Sequence, residues 1–411
     1  MSIVKPNKLG VIAGPGADPF TGKVLRHLRQ LYTKRYKKLS TALVKRHDMT
    51  EEEILKFVTL YEDVNNRKIP HYKPSKTYHA PKLDIPAKFT KFANGEVKAE
   101  ILQSVRGLRI FLIFDMANQY PVEINGSDEP VVLSVNDYMM FLFTTINAVK
   151  VAGAESVHLV LPSYPYARQH KKSGREGLTA SWFGRTCEFM GVDRIITLDI
   201  HSREIENSFS DLKLENLHAS YQVLLQLKRL VKFDDPDLVV VSPDTGAVGR
   251  NKFYAEALHK PLAILYKERD YSKVSTNAKN SNINSIRLLG DVKGKTVLMA
   301  DDMIGTGGTL LIAMKELKAL GAKKIICAIS LPFFNGTAID DFNKAYEAGD
   351  FFRIIGTNAV YHDEKLANMP WFIYTDVTDL FARIISRLHH GRTLSPLLDN
   401  RMFITRLING E

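Results

Sequence analysis

Cysteine is nearly absent from this chain, with only Cys187 and Cys327 among 411 residues. Two cysteines cannot build a disulfide framework or a multi-cysteine metal site. Their scarcity suits a reducing compartment, so the cytoplasm is expected. The first ten residues lack a charged start followed by an apolar core, so no secretory signal is expected. Long apolar runs are missing too. Ile325–Phe334 falls far short of the ~20 residues that a membrane span needs. Short-period repeats and low-complexity tracts are also lacking. Hydrophobic residues at 45% and charged residues at 25% are ordinary for a globular chain. Secreted, membrane-spanning, fibrous and largely disordered classes are thereby set aside.

Acidic residues are scarce in one stretch. Between Lys23 and Thr50, nine Lys or Arg face Asp48 alone, and this stretch carries most of the net charge of +11. Such a face suits nucleic acid, acidic lipid or phosphorylated ligands, or is a solvated helix surface. Leu25, Leu28, Tyr32, Tyr36, Leu39 and Leu43 fall at helical spacing within it. A free nucleic-acid arm would not need that stripe, so packing or assembly is the expected role and nucleic acid is not expected as a partner.

What is present is a repeated unit of apolar strand, turn and helix. Phe111–Met116, Val157–Pro162 and Arg194–Ile200 are strand-like, and so are Asp237–Ser242, Leu262–Tyr266, Thr296–Ala300 and Ile325–Ser330. They are rich in Val, Ile and Leu with little polar alternation, as strands buried on both faces are. Val135–Val151 and Thr309–Leu320 carry helical apolar stripes. This alternation predicts an α/β fold with parallel sheets, arranged as two tandem domains that meet near 219–235. Near the N-terminus, Asp18-Pro19 reads as a cap and a first-turn proline. Thr50 with Glu53 reads as a capping box for a helix to about Tyr61. Residues 64–91 are polar and read as a connection.

The strongest chemical signal is Asp301-Asp302-Met303-Ile304-Gly305-Thr306-Gly307-Gly308-Thr309 after a buried strand. Glycine lets the backbone approach a ligand. The amides and the start of the next helix form a cradle for phosphate. Thr306 and Thr309 add hydroxyls, and the two acids suit ribose hydroxyls or a metal. A P-loop look-alike at Gly16–Lys23 is rejected. It has five residues between its glycines, and Val24 stands where a Ser or Thr is needed.

The acid pair and its glycine-threonine turn resemble the ribose-phosphate loop of phosphoribosyltransferase-type folds. Further motifs follow in order: Phe92-Ala93-Asn94-Gly95-Glu96, Arg106-Gly107, Tyr166-Ala167-Arg168-Gln169, Asp199-Ile200-His201-Ser202, Ser242-Pro243-Asp244-Thr245-Gly246 and Lys267-Glu268-Arg269. Together the chain resembles the ribose-phosphate pyrophosphokinases from about Phe92 onward, and more weakly over Leu9–Leu28. The resemblance implies two tandem phosphoribosyltransferase-like domains with mainly parallel sheets. Residues 1–220 would form the ATP-side domain, with a basic helical insertion at about 30–91. Residues 221–411 would bind ribose 5-phosphate.

It also implies transfer of the diphosphate of ATP to the 1-hydroxyl of ribose 5-phosphate. Lys267 and Arg269 would be catalytic, with Arg269 also near the sugar phosphate. Phe92, Asn94, Glu96, Arg168 and Gln169 would hold ATP. Asp301, Asp302, Gly305, Thr306, Gly307, Gly308 and Thr309 would hold ribose 5-phosphate. His201 and Asp244 would bind Mg²⁺, with Asp199 and Asp211 as nearby acids. A homo-oligomer, dimer or larger, is implied. The alternative is an inactive regulatory homologue, whose sign would be loss of the Lys-Glu-Arg segment or the acid pair; both are present. The chain departs from the family pattern at Gly305 and His170, where the family has Asp. It also departs in a shortened 171–175 segment and in longer stretches at 30–91 and 270–286.

Overall fold

The computed structural model describes residues 8–65, 77–269 and 283–410. The first half begins with β1 (Leu9–Ala13), α1 (Asp18–His47) and α2 (Glu51–Asn65). A hairpin of β2 (Ala87–Lys91) and β3 (Val97–Ile101) follows. Then come β4 (Arg109–Ile113), α3 (Val135–Val151), β5 (Ser156–Val160), α4 (Thr179–Phe189), β6 (Arg194–Leu198) and β7 (Lys213–Leu217). Strands β1-β4-β5-β6-β7 make one sheet, parallel throughout.

The second half holds α5 (Ser220–Leu227), β8 (Leu238–Ser242), α6 (Val248–Leu258), β9 (Leu262–Arg269) and β10 (Ile283–Leu289). It continues with β11 (Thr296–Ile304), α7 (Gly308–Ala319), β12 (Lys324–Pro332), α8 (Ala338–Glu347), β13 (Arg353–Thr357), α9 (Glu364–Ala367) and β14 (Phe372–Thr375). Helices α10 (Thr378–His389), α11 (Ser395–Leu398) and α12 (Arg401–Asn409) close the chain. The sheet order is β10-β9-β8-β11-β12-β13-β14, parallel except for the edge strand β10. The expected α/β architecture is therefore present, with mainly parallel sheets.

Local sequence explains the element boundaries. Ser134 and Asp137 form a reciprocal capping box at the start of α3, and its Tyr138, Phe141, Leu142, Ile146 and Val149 are buried at helical spacing. Thr50 and Glu53 form the expected box before α2: Thr50 N–H donates to the Glu53 carboxylate at 2.7 Å, and Glu53 N–H to Thr50 Oγ1 at 3.2 Å. Asp18 differs from expectation. It is the first helical residue, makes no side-chain cap, and Pro19 occupies the first turn. A proline lacking its N–H starts the helix there without a cap, because that N–H is unpaired in any helix. The stretch read as a connection also yields β2, because Ala87–Lys91 pairs with Val97–Ile101 across a tight turn.

The two halves share a core. Val24 and Leu28 of α1 pack in one cluster with Phe381, Ile384 and Ile385 of α10. Phe20 meets Phe381 edge-on, with ring centroids 5.4 Å apart. A parallel sheet leaves ligand-binding loops at the carboxyl ends of its strands. Close packing of the halves brings the ends of β6 and β11 to a common seam. No helix among the described residues is long and apolar enough to cross a membrane.

Candidate active site

The acid pair lies on β11 itself, near its carboxyl end, because β11 pairs with β12 through Ile304. Asp302 is buried, and its N–H donates to Asp301 Oδ1 at 2.8 Å. The chain then turns through Gly305–Gly307 into α7. Gly307 has φ +77°, and a Cβ there would stand 2.2 Å from Cε2 of the buried Phe342. Only glycine fits that turn. Thr306, Gly308 and Thr309 are exposed at the start of α7, where the first amides have no helical partner. This supplies donors for an anion at a helix N-terminus.

Residues after β5 and β6 meet this loop across the seam. His201 Nδ1–H donates to Asp302 Oδ2 at 2.5 Å. The rings of His170 and His201 lie 5.1 Å apart, edge to face. Arg168 Nη1 stands 3.7 Å from the point where a Cβ on Gly305 would lie. Thus Arg168, His170, His201, Asp302 and Gly305 converge. A cleft of about 670 Å³ opens beside them, lined by Asp199, His201, Arg203, His218, Arg250 and Asn400 among others.

The two acids differ electrically. Burial, followed by the charge of Asp302, pushes the Asp301 carboxyl above its ordinary range. Burial acts on Asp302 as well, but the His201 hydrogen bond and the Arg250 charge outweigh it and hold Asp302 low. Asp302 is therefore the stably ionised member.

Asp244 occupies a different position. Its Oδ1 accepts from Gly246 N–H and Ala247 N–H, both at 2.9 Å, which shapes the turn into α6. Asp199 is near His201 in the sequence, yet its oxygens are occupied. Oδ1 accepts from His218 Nδ1–H at 2.7 Å and pairs with Arg250 Nη1 at 3.2 Å. Oδ2 accepts from Ala219 N–H at 3.1 Å and Ser330 Oγ–H at 2.6 Å. It is thus a structural acceptor and not a spare ligand. Asp211 is exposed, and its N–H donates to Glu188.

Phe92, Asn94 and Glu96 sit at the tip of the β2–β3 hairpin, which forms a separate two-stranded sheet. Phe92 is 48% exposed. The tip is held by its own bonds, with Phe92 N–H donating to Glu96 O at 2.8 Å and Glu96 N–H to Asn94 Oδ1 at 3.1 Å. Gln169 is exposed beside Arg168. The backbone of Lys267-Glu268-Arg269 is the last part of β9, paired with Ile283–Ile286, and does not follow the strand. An antiparallel neighbour extends β9 by satisfying its backbone groups. The side chains of Lys267 and Arg269 lie outside the described residues, as does 270–282.

A divalent cation suits the donor set. Donation of Nδ1–H to Asp302 leaves His201 Nε2 as a lone-pair donor, the arrangement a carboxylate-oriented histidine ligand adopts. No group of three His, Cys, Asp or Glu side chains positioned for a metal occurs among the described residues. Mg²⁺ fits such a partial set, since it keeps waters and takes phosphate oxygens.

Sequence reading missed Arg250, Asn251, His218 and Ser330. Asn251 is fully buried, and its amide both donates to Ala300 O and accepts from Ala300 N–H, each at 2.8 Å. It ties α6 to β11 beside the acid pair. Arg250 stands six residues beyond Asp244, and only that adjacency could have flagged it.

Comparison with known proteins agrees with this geometry. Residues 78–191 match the model for the N-terminal domain of ribose phosphate pyrophosphokinase, and residues 213–349 match that for the phosphoribosyl transferase domain. Ribose-phosphate pyrophosphokinase A of Dictyostelium discoideum is 32% identical over 311 residues, covering 75% of this chain and 89% of that protein. Ribose-phosphate pyrophosphokinase 1 of Streptococcus agalactiae is 32% identical over 312 residues, covering 75% and 88%. Among solved structures, phosphoribosylpyrophosphate synthetase from Mycobacterium smegmatis superposes with a TM-score of 0.66 at 26% identity, covering 93% of this chain and 99% of that one. Both halves are matched in order over most of their length, and this chain belongs to the ribose-phosphate pyrophosphokinase family.

Proposed function

We propose that this chain transfers the β,γ-diphosphate of ATP to the 1-hydroxyl of ribose 5-phosphate, giving phosphoribosyl diphosphate and AMP. The observation that carries this reading is the His201–Asp302 contact, which joins a first-half loop to the ribose-phosphate loop. Arg168 beside Gly305 supports it from the nucleotide side.

In this reading the amides of Thr306–Thr309 take the 5-phosphate. Asp301 and Asp302 hold the sugar hydroxyls. Arg168 and Gln169 hold the ATP phosphates, Arg168 through its planar fork. The 1-hydroxyl oxygen bonds to the β-phosphorus as the bridge to the α-phosphate breaks, AMP leaves, and the hydroxyl proton passes to solvent. Lys267 and Arg269 place positive charge beside the transferring diphosphate, where preorganised charge counts most. Mg²⁺, held by His201, Asp244 and phosphate oxygens, would neutralise and orient the ATP tail. Phe92, Asn94 and Glu96 point outward on an exposed hairpin, which suits an ATP site completed by a neighbouring copy in a homo-oligomer, dimer or larger. Two free, buried cysteines suit the cytoplasm.

The test is direct. Pure protein with ATP, ribose 5-phosphate and Mg²⁺ forms AMP and phosphoribosyl diphosphate in equal amounts. No AMP at millimolar substrates would reject an active enzyme and favour the regulatory homologue.

A further inference from the structure

The seam contains a junction that neither substrate's residues require. Asp199 opens the loop that follows β6 in the first half. Arg250 lies in the first turn of α6, and Ser330 lies on β12, both in the second half. One carboxylate joins all three, with 3.2 Å to Arg250 Nη1 and 2.6 Å from Ser330 Oγ. We propose that Asp199, Arg250 and Ser330 form a positioning clamp that holds the nucleotide half-site and the ribose-phosphate half-site in register. The inference rests on the reading above that ATP and ribose 5-phosphate are the substrates.

Four observations support it. Asp199 is buried and has φ +43°, a left-handed backbone that a non-glycine residue keeps only when its surroundings over-determine it. Its four partners provide that constraint. His201 is two residues further on, so a fixed Asp199 fixes the loop that carries His201 to Asp302. Besides the charge of Asp199, those of Asp302 and Asp301 act on the Arg250 guanidinium. Lastly, α6 is bolted to β11 through Asn251 and Ala300, one residue from the acid pair. A shift at Arg250 therefore moves the Asp244 turn, the acid pair and the His201 loop relative to one another.

His218 completes the junction, with its Nδ1–H going to Asp199 at 2.7 Å and its Nε2 lying 2.9 Å from Arg203 Nη2. Arg250 brings a permanent charge to Asp199 at close range. These residues are positioning residues. None of them needs to touch substrate.

A clamp and a binding residue give different kinetics. Misaligned half-sites still bind their own substrates but react slowly, since small displacements cost orders of magnitude in rate. Arg250→Gln and Asp199→Asn should each lower kcat about 100-fold. KM for ATP and the calorimetric Kd for ribose 5-phosphate should stay within about threefold. The double variant should be no slower than the slower single variant, because both remove one junction. Ser330→Ala keeps the ion pair and should lower kcat about fivefold, the size expected from one lost hydrogen bond. Its melting temperature should stay near wild type, so it reads the clamp even if the charge variants fold poorly. Arg250→Lys should recover part of kcat. Unchanged kcat in Ser330→Ala and Arg250→Gln overturns the clamp, as does a loss confined to KM or additive losses in the double variant. A wild-type protein that forms no AMP fails the proposed function and the clamp together. An active wild type with indifferent variants fails the clamp alone.

Discussion

The guanidinium of Arg168 faces Gly305 across the seam, 3.7 Å from where a Cβ on that glycine would stand. In the proposed function Arg168 serves the nucleotide and Gly305 lies in the loop for the sugar phosphate. The gap between them is ordinary van der Waals space, and Gly305 is not among the glycines with positive φ.

Gly305→Asp therefore folds normally and sets a carboxylate beside Arg168. The new pair is exposed, so it is worth at most about 1 kcal/mol. That is enough to compete for Arg168, and KM for ATP should rise about threefold to fivefold. The KM for ribose 5-phosphate should hold or fall. Steady-state kinetics on both substrates check this, and a higher KM for the sugar with ATP unaffected would contradict the placement of Arg168.

Gly307 tolerates no side chain. Gly307→Ala combines a left-handed backbone with overlap against Phe342, and should cost roughly 2–4 kcal/mol of stability. It also displaces the amides proposed to take the 5-phosphate. Urea denaturation should show a lower midpoint, and calorimetry should show lost ribose 5-phosphate affinity. A variant with unaltered midpoint and affinity refutes this account of the turn.

Lys267 is expected to act on the reacting diphosphate. Lys267→Ala should lower kcat by about 10² or more while KM changes little, the signature of charge stabilisation realised in the transition state. An unchanged kcat removes Lys267 from the mechanism.

Asp115 gives the stability a pH dependence. It lies just beyond β4, buried, with Oδ2 accepting from Tyr361 N–H at 2.9 Å and Oδ1 from Ala117 N–H at 3.0 Å. Burial pushes its carboxyl up from the ordinary carboxylate range to about 6, despite those two bonds. The folded state therefore holds this proton more tightly than the unfolded chain. Its contribution falls as pH rises from about 4 to about 6 and is level above that. The whole effect is at most about 3 kcal/mol. In Asp115→Asn this component should vanish, so the wild-type-minus-variant stability difference should change between pH 4.5 and pH 7. A difference independent of pH would show that Asp115 does not titrate there.

Much of the fold and half of the site could be read from the chain. The Val- and Ile-rich runs predicted buried parallel strands, and Ser134, Thr50 and their acidic partners form caps as local spacing requires. The Asp301–Thr309 run showed its strand, turn and helix start because each step depends on neighbours a few residues away. The seam was not legible. Asp199 and Arg250 are 51 residues apart, one in the loop after β6 and the other on α6, and nothing local marks either as the other's partner. The edge strand β10, the lengthening of β9 over Lys267–Arg269 and the strand Ala87–Lys91 also arose from pairing with distant or turn-linked backbone. Chemistry is written into residue type and short spacing, so the sequence by itself determined which groups could bind phosphate, sugar and metal. Only the tertiary structure decided that Asp302 faces His201, that Arg168 faces Gly305 and that Asp199 is occupied by Arg250 and Ser330, because contacts between the halves depend on how two cores pack and not on any local period.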